Sequence, residues 1–285
     1  MPRIGRARAA ILLLAGLAAC ISAGIPGPET LQDYQDRLVA SGRMRTDRNP
    51  PDVPFTNADL VRNFERVAFG QDPEIERALG VSRAGTDRIM RWEEDIRYSF
   101  GGRVTLSDAL ALRDIGERLS RASGRAVAAA AVPEEANLLV LFVASEDRPM
   151  LREQFLGCGA APEILERLVV SLSDEFLCSG TFFCAPPGPD GRTHAFGTIV
   201  IRAEAPGLLR RSCIEEEFAQ AMGLPRDDDR VRPSMFNEDE EFALMTTHDE
   251  YLVRILYHPS LRAGMPRAEA MSRVPGIVEE LRPGG

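Results

Sequence analysis

Cys213-Ile214-Glu215-Glu216-Glu217-Phe218-Ala219-Gln220-Ala221-Met222-Gly223-Leu224 reads as a helix with a defined end. Ile214, Phe218, Ala221 and Met222 fall at i, i+4, i+7 and i+8, the apolar stripe of a core-facing helix. Gly223 is placed to stop it. Glu216 and Gln220 stand four residues apart, so their side chains meet on one face, with Glu217 beside them. The three glutamates read as a solvated face in the first turns, where the helix dipole favours negative charge. Glu217 and Gln220, at i and i+3, are also spaced to hold a neighbouring loop.

Outward from this helix the chain mixes helices and strands without a repeat, which predicts an α+β fold. Gly197 to Ala203 is rich in β-branched residues and predicts a strand directly before the helix. Leu138 to Val143 is an unbroken apolar run of strand length, expected at the centre of a sheet and buried on both faces. Alternation around Met90-Arg91-Trp92 and again over Ile96 to Phe100 predicts strand, ended by Gly101-Gly102. Thr56 to Asp59, Thr105 to Asp108 and Thr246 to Asp249 each offer a helix cap. The helices they open carry Leu60, Phe64 and Val67, then Leu112, Ile115 and Leu119, then Leu252, Ile255 and Leu256 on their inner faces. Pro162 predicts the first turn of another helix.

The N-terminus follows a different logic. Arg3, Arg6 and Arg8 precede an apolar run from Ala9 to Leu17, too short to span a bilayer, which ends in Leu17-Ala18-Ala19-Cys20. This resembles a bacterial lipobox, in which the cysteine is lipidated and becomes the mature N-terminus. The expected organisation is a signal peptide over 1–19, then Cys20 and a tether over 20–52 with a short helix near Leu31–Leu38, then a folded domain over 53–285. Losing residues 1–19 removes three positive charges and moves the formal charge from −9 to −12. So acidic a domain is poorly suited to nucleic acid, and membrane attachment would come from the lipid. Ile21 after the cysteine is not Asp, which resembles outer-membrane sorting in a protein facing the periplasm. Envelope proteins or peptides are the expected partners.

All 34 basic residues are arginine. The lack of lysine excludes a Walker A lysine, a Schiff base and a Ser-x-x-Lys nucleophile pair. Cys158, Cys178, Cys184 and Cys213 remain once Cys20 carries lipid. Four cysteines in an exported chain allow three pairings. We expect Cys158–Cys178 and Cys184–Cys213, the second tying the start of the key helix to the loop before the preceding strand. His194, His248 and His258 are scattered, with His248 in the first turn of a helix where surface histidines are ordinary.

Three features in order carry a resemblance: Cys213 to Leu224, Pro233-Ser234-Met235-Phe236-Asn237, and Leu244 to Tyr257 with Gly264-Met265 beyond. With Ala68-Phe69-Gly70 and Trp92 upstream, the chain resembles domain of unknown function 2927, a family of proteobacterial putative lipoproteins. It also bears a more distant similarity to zincin metallopeptidases of the matrixin kind. Those chains have a strand, a zinc helix ending in Gly-Leu, a Met-containing turn and a last helix ending in Leu-Tyr. The similarity implies a zincin-like domain with a small mixed sheet and a central active-site-type helix.

A zinc helix of the H-E-x-x-H type places two histidines at i and i+4 and a general-base glutamate beside the first. Here Glu216 and Gln220 occupy the histidine positions and Glu217 the base position. Asp227 is the nearest candidate for a third ligand, one residue late. An all-oxygen set suits calcium, magnesium or manganese better than zinc. The expectation is therefore no metal and no other cofactor, and a binding or scaffolding role on a degenerate peptidase fold. The alternative is a divergent hydrolase with Glu217 as base. Asp227-Asp228-Asp229 and the acidic run from Glu238 to Glu241 lack the EF-hand pattern and read as solvated loops.

Overall fold

Five strands form one sheet in the order β2-β1-β3-β5-β4 in the computed structural model, which describes residues 30–69, 87–147, 178–183, 197–237 and 239–285. The strands are β1 (Ile96–Gly102), β2 (Val127–Ala129), β3 (Leu138–Val143), β4 (Ser179–Phe183) and β5 (Gly197–Arg202). β2, β1, β3 and β5 run parallel, and β4 lies antiparallel to β5 at the edge. The helices among the described residues are α1 (Leu31–Ala40), α2 (Asn57–Ala68), α3 (Leu106–Ser123), α4 (Gly207–Ala221), α5 (Thr247–Leu256) and α6 (Arg267–Leu281). None of them is long and apolar enough to cross a membrane.

The expected mixture of helix and sheet is present. β3 is the central strand, but Leu138, Val140 and Phe142 are buried while the alternate residues are half-buried. β5 is the strand buried along its whole length. Met90 to Trp92 is irregular, and β1 begins only at Ile96. The alternation at Met90 to Trp92 comes from side chains anchored in the core: Trp92 is fully buried and its backbone N–H donates to Tyr257 Oη at 3.1 Å.

The three capping signals form, and Thr30/Asp33 adds a fourth. Thr30/Asp33, Thr56/Asp59, Thr105/Asp108 and Thr246/Asp249 are all reciprocal capping boxes, opening α1, α2, α3 and α5. In each, the threonine hydroxyl accepts the backbone N–H three residues on, and the aspartate accepts the threonine N–H. The inner faces predicted for α2, α3 and α5 are buried throughout. α3 ends at Gly124, which adopts φ +69°.

In the segment read as a tether, residues from Leu31 onward pack on the rest of the chain. Tyr34, Leu38 and Met44 are buried in the common core. Gln35 Oε1 accepts the Leu209 N–H at 2.9 Å, and the backbone of Met44 and Arg45 donates to Glu240 and Glu241 carbonyls, each at 2.7 Å. Cys20, the signal segment, His194, the Pro162 helix, Cys158 and Cys184 lie outside the described residues.

α4 follows β5 and packs on β5, β4 and α3. Cys178 directly precedes β4, and the antiparallel run of β4 along β5 carries it to the flank of α4. The disulfide is accordingly Cys178–Cys213, with Cα atoms 5.2 Å apart. This corrects both expected pairings, Cys158–Cys178 and Cys184–Cys213. The helix is indeed tied down at Cys213, but to the start of an edge strand that the sequence pattern did not reveal.

Candidate functional site

Every residue of α4 from Ser212 to Ala221 is buried, polar ones included. This corrects the reading of Glu215, Glu216 and Glu217 as a solvated face: they are 1%, 7% and 0% exposed. A carboxylate buried to that degree needs partners, because losing water costs several kcal/mol unless charge and hydrogen bonds compensate.

Glu215 meets that need openly. Arg48 Nη1 and Nη2 grip its two oxygens at 3.1 and 3.0 Å, Arg211 Nε donates at 3.2 Å, and the Met245 N–H donates at 3.0 Å. Burial pushes the Glu215 carboxyl above its usual range, against the Met245 amide and the positive charges of Arg211 and Arg118. Arg48 and Arg118 each also donate to the Met245 carbonyl at 2.8 Å. Glu215 therefore anchors the segment that leads into α5.

The far end of α4 is fixed by two aromatic side chains. Trp92 Nε1 donates to the Ala221 carbonyl at 2.8 Å, and Tyr257 Oη donates to the Met222 carbonyl at 2.9 Å. These satisfy carbonyls that a helix end leaves open. Gly223 then turns the chain at φ +115°, where a Cβ would stand 1.9 Å from the Met90 carbonyl oxygen. No other residue type fits that approach.

Of the residues singled out for chemistry, Gln220 and Asp227 come together. Gln220 Nε2 donates to Asp227 Oδ1 and Oδ2, each at 3.0 Å, with both residues buried. Gln220 Oε1 is buried without a hydrogen-bond partner among the described residues. Glu216 and Glu217 lie one turn earlier on the same helix, buried and engaged. Among the described residues no group of three His, Cys, Asp or Glu side chains is arranged to hold a metal ion.

The turn after α4 is held from α5. Asp249 accepts Ser234 Oγ at 2.5 Å, the Met235 N–H at 3.2 Å and the Thr246 N–H at 2.8 Å. The family described as protein of unknown function (DUF2927) matches residues 57–276, a span that takes in α2 through most of α6. The chain belongs to that family. No curated protein and no solved structure matches it. Within this DUF2927 domain, two of the segments that carried the resemblance meet at Asp249, where α5 holds the Ser234–Met235 turn, and Tyr257 just after α5 reaches the third at the Met222 carbonyl.

His248 is fully buried rather than at the surface. Its Nε2 lies 3.1 Å from Asn63 Nδ2, and Nδ1 faces Asp249 Oδ1 at 3.4 Å. Arg66 donates to Asn63 Oδ1, which turns the Asn63 amide nitrogen toward the ring. The imidazole therefore accepts at Nε2 and offers its N–H to Asp249. Phe55 stacks edge-on against it with ring centroids 5.2 Å apart. Sequence reasoning missed this residue as a packing centre, although its place inside the Thr246/Asp249 capping box was a signal.

Asp228 and Asp229 part company. Asp228 is buried and pairs with Arg230 through two hydrogen bonds, at 2.8 and 2.5 Å, while Asp229 is exposed. Burial pushes the Asp228 carboxyl up, but hydrogen bonds from the Arg230 side chain and amide outweigh it and leave the group below its usual range.

Proposed function

We propose that this is a lipid-anchored envelope protein whose DUF2927 domain binds or scaffolds a partner and does not hydrolyse one. The carrying observation is the hydrogen bonding of Gln220 to Asp227. Two of the three side chains at ligand-like positions are hydrogen-bonded to each other, with an amide nitrogen, which cannot ligate a cation, turned to the carboxylate. Zinc does not fit this donor set, since it favours nitrogen and sulfur ligands with an open fourth position. The order of strand, buried helix, Met235 turn and α5 ending at Tyr257 supports a zincin-like ancestry for the domain.

Attachment is proposed through Cys20, with the domain facing the periplasm and outer-membrane sorting. Cys20→Ala should release the protein from membranes, and equal palmitate labelling of both forms would remove the anchor. For the domain itself, a peptide and peptidoglycan cleavage screen should show no activity that disappears with Glu217→Gln.

One observation favours a second reading, a divergent hydrolase with Glu217 as base. Gln220 Oε1 is a buried acceptor without a hydrogen bond among the described residues, and such atoms are uncommon in folded proteins. Cleavage abolished by Glu217→Gln would establish that reading in place of the first.

A further inference from the structure

A cleft of about 310 Å³ opens beside the loop that follows α4, lined by Arg62, Glu65, Arg66, Phe69, Arg226, Arg230 and Arg267. Its walls come from α2, the Leu224–Val231 loop and the start of α6. Five guanidinium groups around one cleft run against the chain's formal charge of −9.

Three of the five are matched by carboxylates. Arg62 pairs with Asp59, Arg230 with Asp228, and Arg267 with Glu65 at 2.9 Å and Asp87 at 3.5 Å. Arg66 and Arg226 make no ion pair among the described residues, although the positive charge of Arg66 also acts on Asp228. There Arg66 donates only to neutral acceptors, Asn63 Oδ1 at 3.2 Å and the Arg230 carbonyl at 3.4 Å. Arg226 makes no ion pair among the described residues, and its Nε is buried without a hydrogen-bond partner there. A buried guanidinium N–H without an acceptor is costly, and a bound anion would supply one.

The loop explains why Arg226 faces this way. Its backbone N–H donates to the Val67 carbonyl at 3.3 Å, next to Ala68 and Phe69 on the cleft wall. Its neighbour Asp227 is held by Gln220, and Asp228 by Arg230. Of the two arginines that flank this run of acids, Arg230 is taken by Asp228 and Arg226 is left to the cleft.

We infer that this cleft binds a phosphate ester. Two guanidinium groups without an ion pair among the described residues suit a dianion, and their forked N–H donors fit the oxygens of a phosphate. The cleft lies at the lower end of the range for small-molecule pockets, roughly 300–1,000 Å³, which leaves room for an organic portion beside the phosphate. The site is separate from the buried Glu217 and does not depend on whether the domain hydrolyses anything.

The test is calorimetric titration of the full chain with inorganic phosphate and with glycerol phosphate, against chloride at matched ionic strength. One saturable site is expected, weakened about tenfold or more by Arg226→Gln and by Arg66→Gln. Arg226→Lys, which keeps the charge but not the fork, should fall between wild type and Arg226→Gln. Vesicles containing phosphatidic acid separate the two sources of the ester. Vesicle binding lost in both glutamine variants assigns a lipid headgroup, and glycerol phosphate binding without vesicle binding assigns a soluble ester. Wild-type protein that binds phosphate no better than chloride overturns the proposal, as do folded Arg66 and Arg226 variants that bind like wild type.

Discussion

Gln220 and Asp227 are bonded through a single amide nitrogen that donates to both carboxylate oxygens at 3.0 Å. They stand seven positions apart across a sharp glycine turn, so the contact closes the loop after α4 back onto the helix. Removing Gln220 takes both of these hydrogen bonds from the buried Asp227. Gln220→Ala should therefore destabilise the fold by about 1–3 kcal/mol, since a buried acceptor loses one of its hydrogen-bond donors. Denaturant unfolding checks this, and an unchanged midpoint would mean the contact is incidental.

Glu215 should prove the most sensitive of the three glutamates. It is 1% exposed and holds Arg48, Arg211 and the Met245 N–H together. Glu215→Ala would leave the partly buried guanidinium of Arg48 without its carboxylate, at a cost of about 3–5 kcal/mol. Arg211, with a side chain 40% exposed, contributes far less; Arg211→Ala should cost no more than about 1 kcal/mol. Equal losses in the two variants would contradict the assignment of Glu215 as the hub.

The Cys178–Cys213 bridge spans 35 residues. By loop entropy alone a bridge of that span contributes on the order of 3–4 kcal/mol. Non-reducing digestion should yield a Cys178–Cys213 linked peptide, and Cys213→Ser should lower the unfolding midpoint. Recovery of Cys184–Cys213 instead would refute the placement of β4.

Gly223 and Gly124 make a controlled pair. Both have positive φ, but a Cβ at Gly223 meets the Met90 carbonyl whereas Gly124 faces open space. Gly124→Ala should cost about 1 kcal/mol from backbone strain alone. Gly223→Ala should cost more than about 3 kcal/mol or prevent folding, because strain and backbone collision add. Similar thermal shifts for the two would contradict the packing at the end of α4.

Acid should destabilise the protein through a small set of carboxylates. Burial pushes Asp59, Glu93 and Asp228 up, but each is pulled lower overall: Asp59 by Thr56 and Arg62, Glu93 by Arg91 and the Ala263 N–H, Asp228 by Arg230. A carboxyl whose folded value lies below its unfolded one contributes stability that is complete above about pH 4–5. That contribution is lost as pH falls through the folded values. Glu215, raised by burial, acts in the opposite sense, its contribution falling as pH rises. Unfolding free energy measured from about pH 6 down to about pH 3 should drop, and Asp59→Asn should flatten part of the slope. A flat profile in the wild type would contradict these signs.

Local chemistry was legible in the chain. The three expected Thr-x-x-Asp boxes, the Gly223 stop, the apolar run of β3 and the β-branched run of β5 are short-range signals, and each marks a real element. What escaped depends on distant partners. Glu215 looks solvated until Arg48 arrives from 167 residues away. The cysteine pairing depended on β4, a strand whose sequence carries no clear alternation, running antiparallel at the sheet edge. His248 looked like a surface residue because its partner Asn63 lies 185 residues upstream. Gln220 and Asp227 were named as possible ligands, and their spacing was right for contact, but the sequence could not tell a shared cation from a hydrogen bond.

The metal content of protein purified without chelators or a metal-binding tag tests the central claim most directly. If α4 is a structural frame, zinc and other divalent metals should be substoichiometric and unchanged by Glu216→Ala. One equivalent of metal, lost on Glu216→Ala, would contradict it.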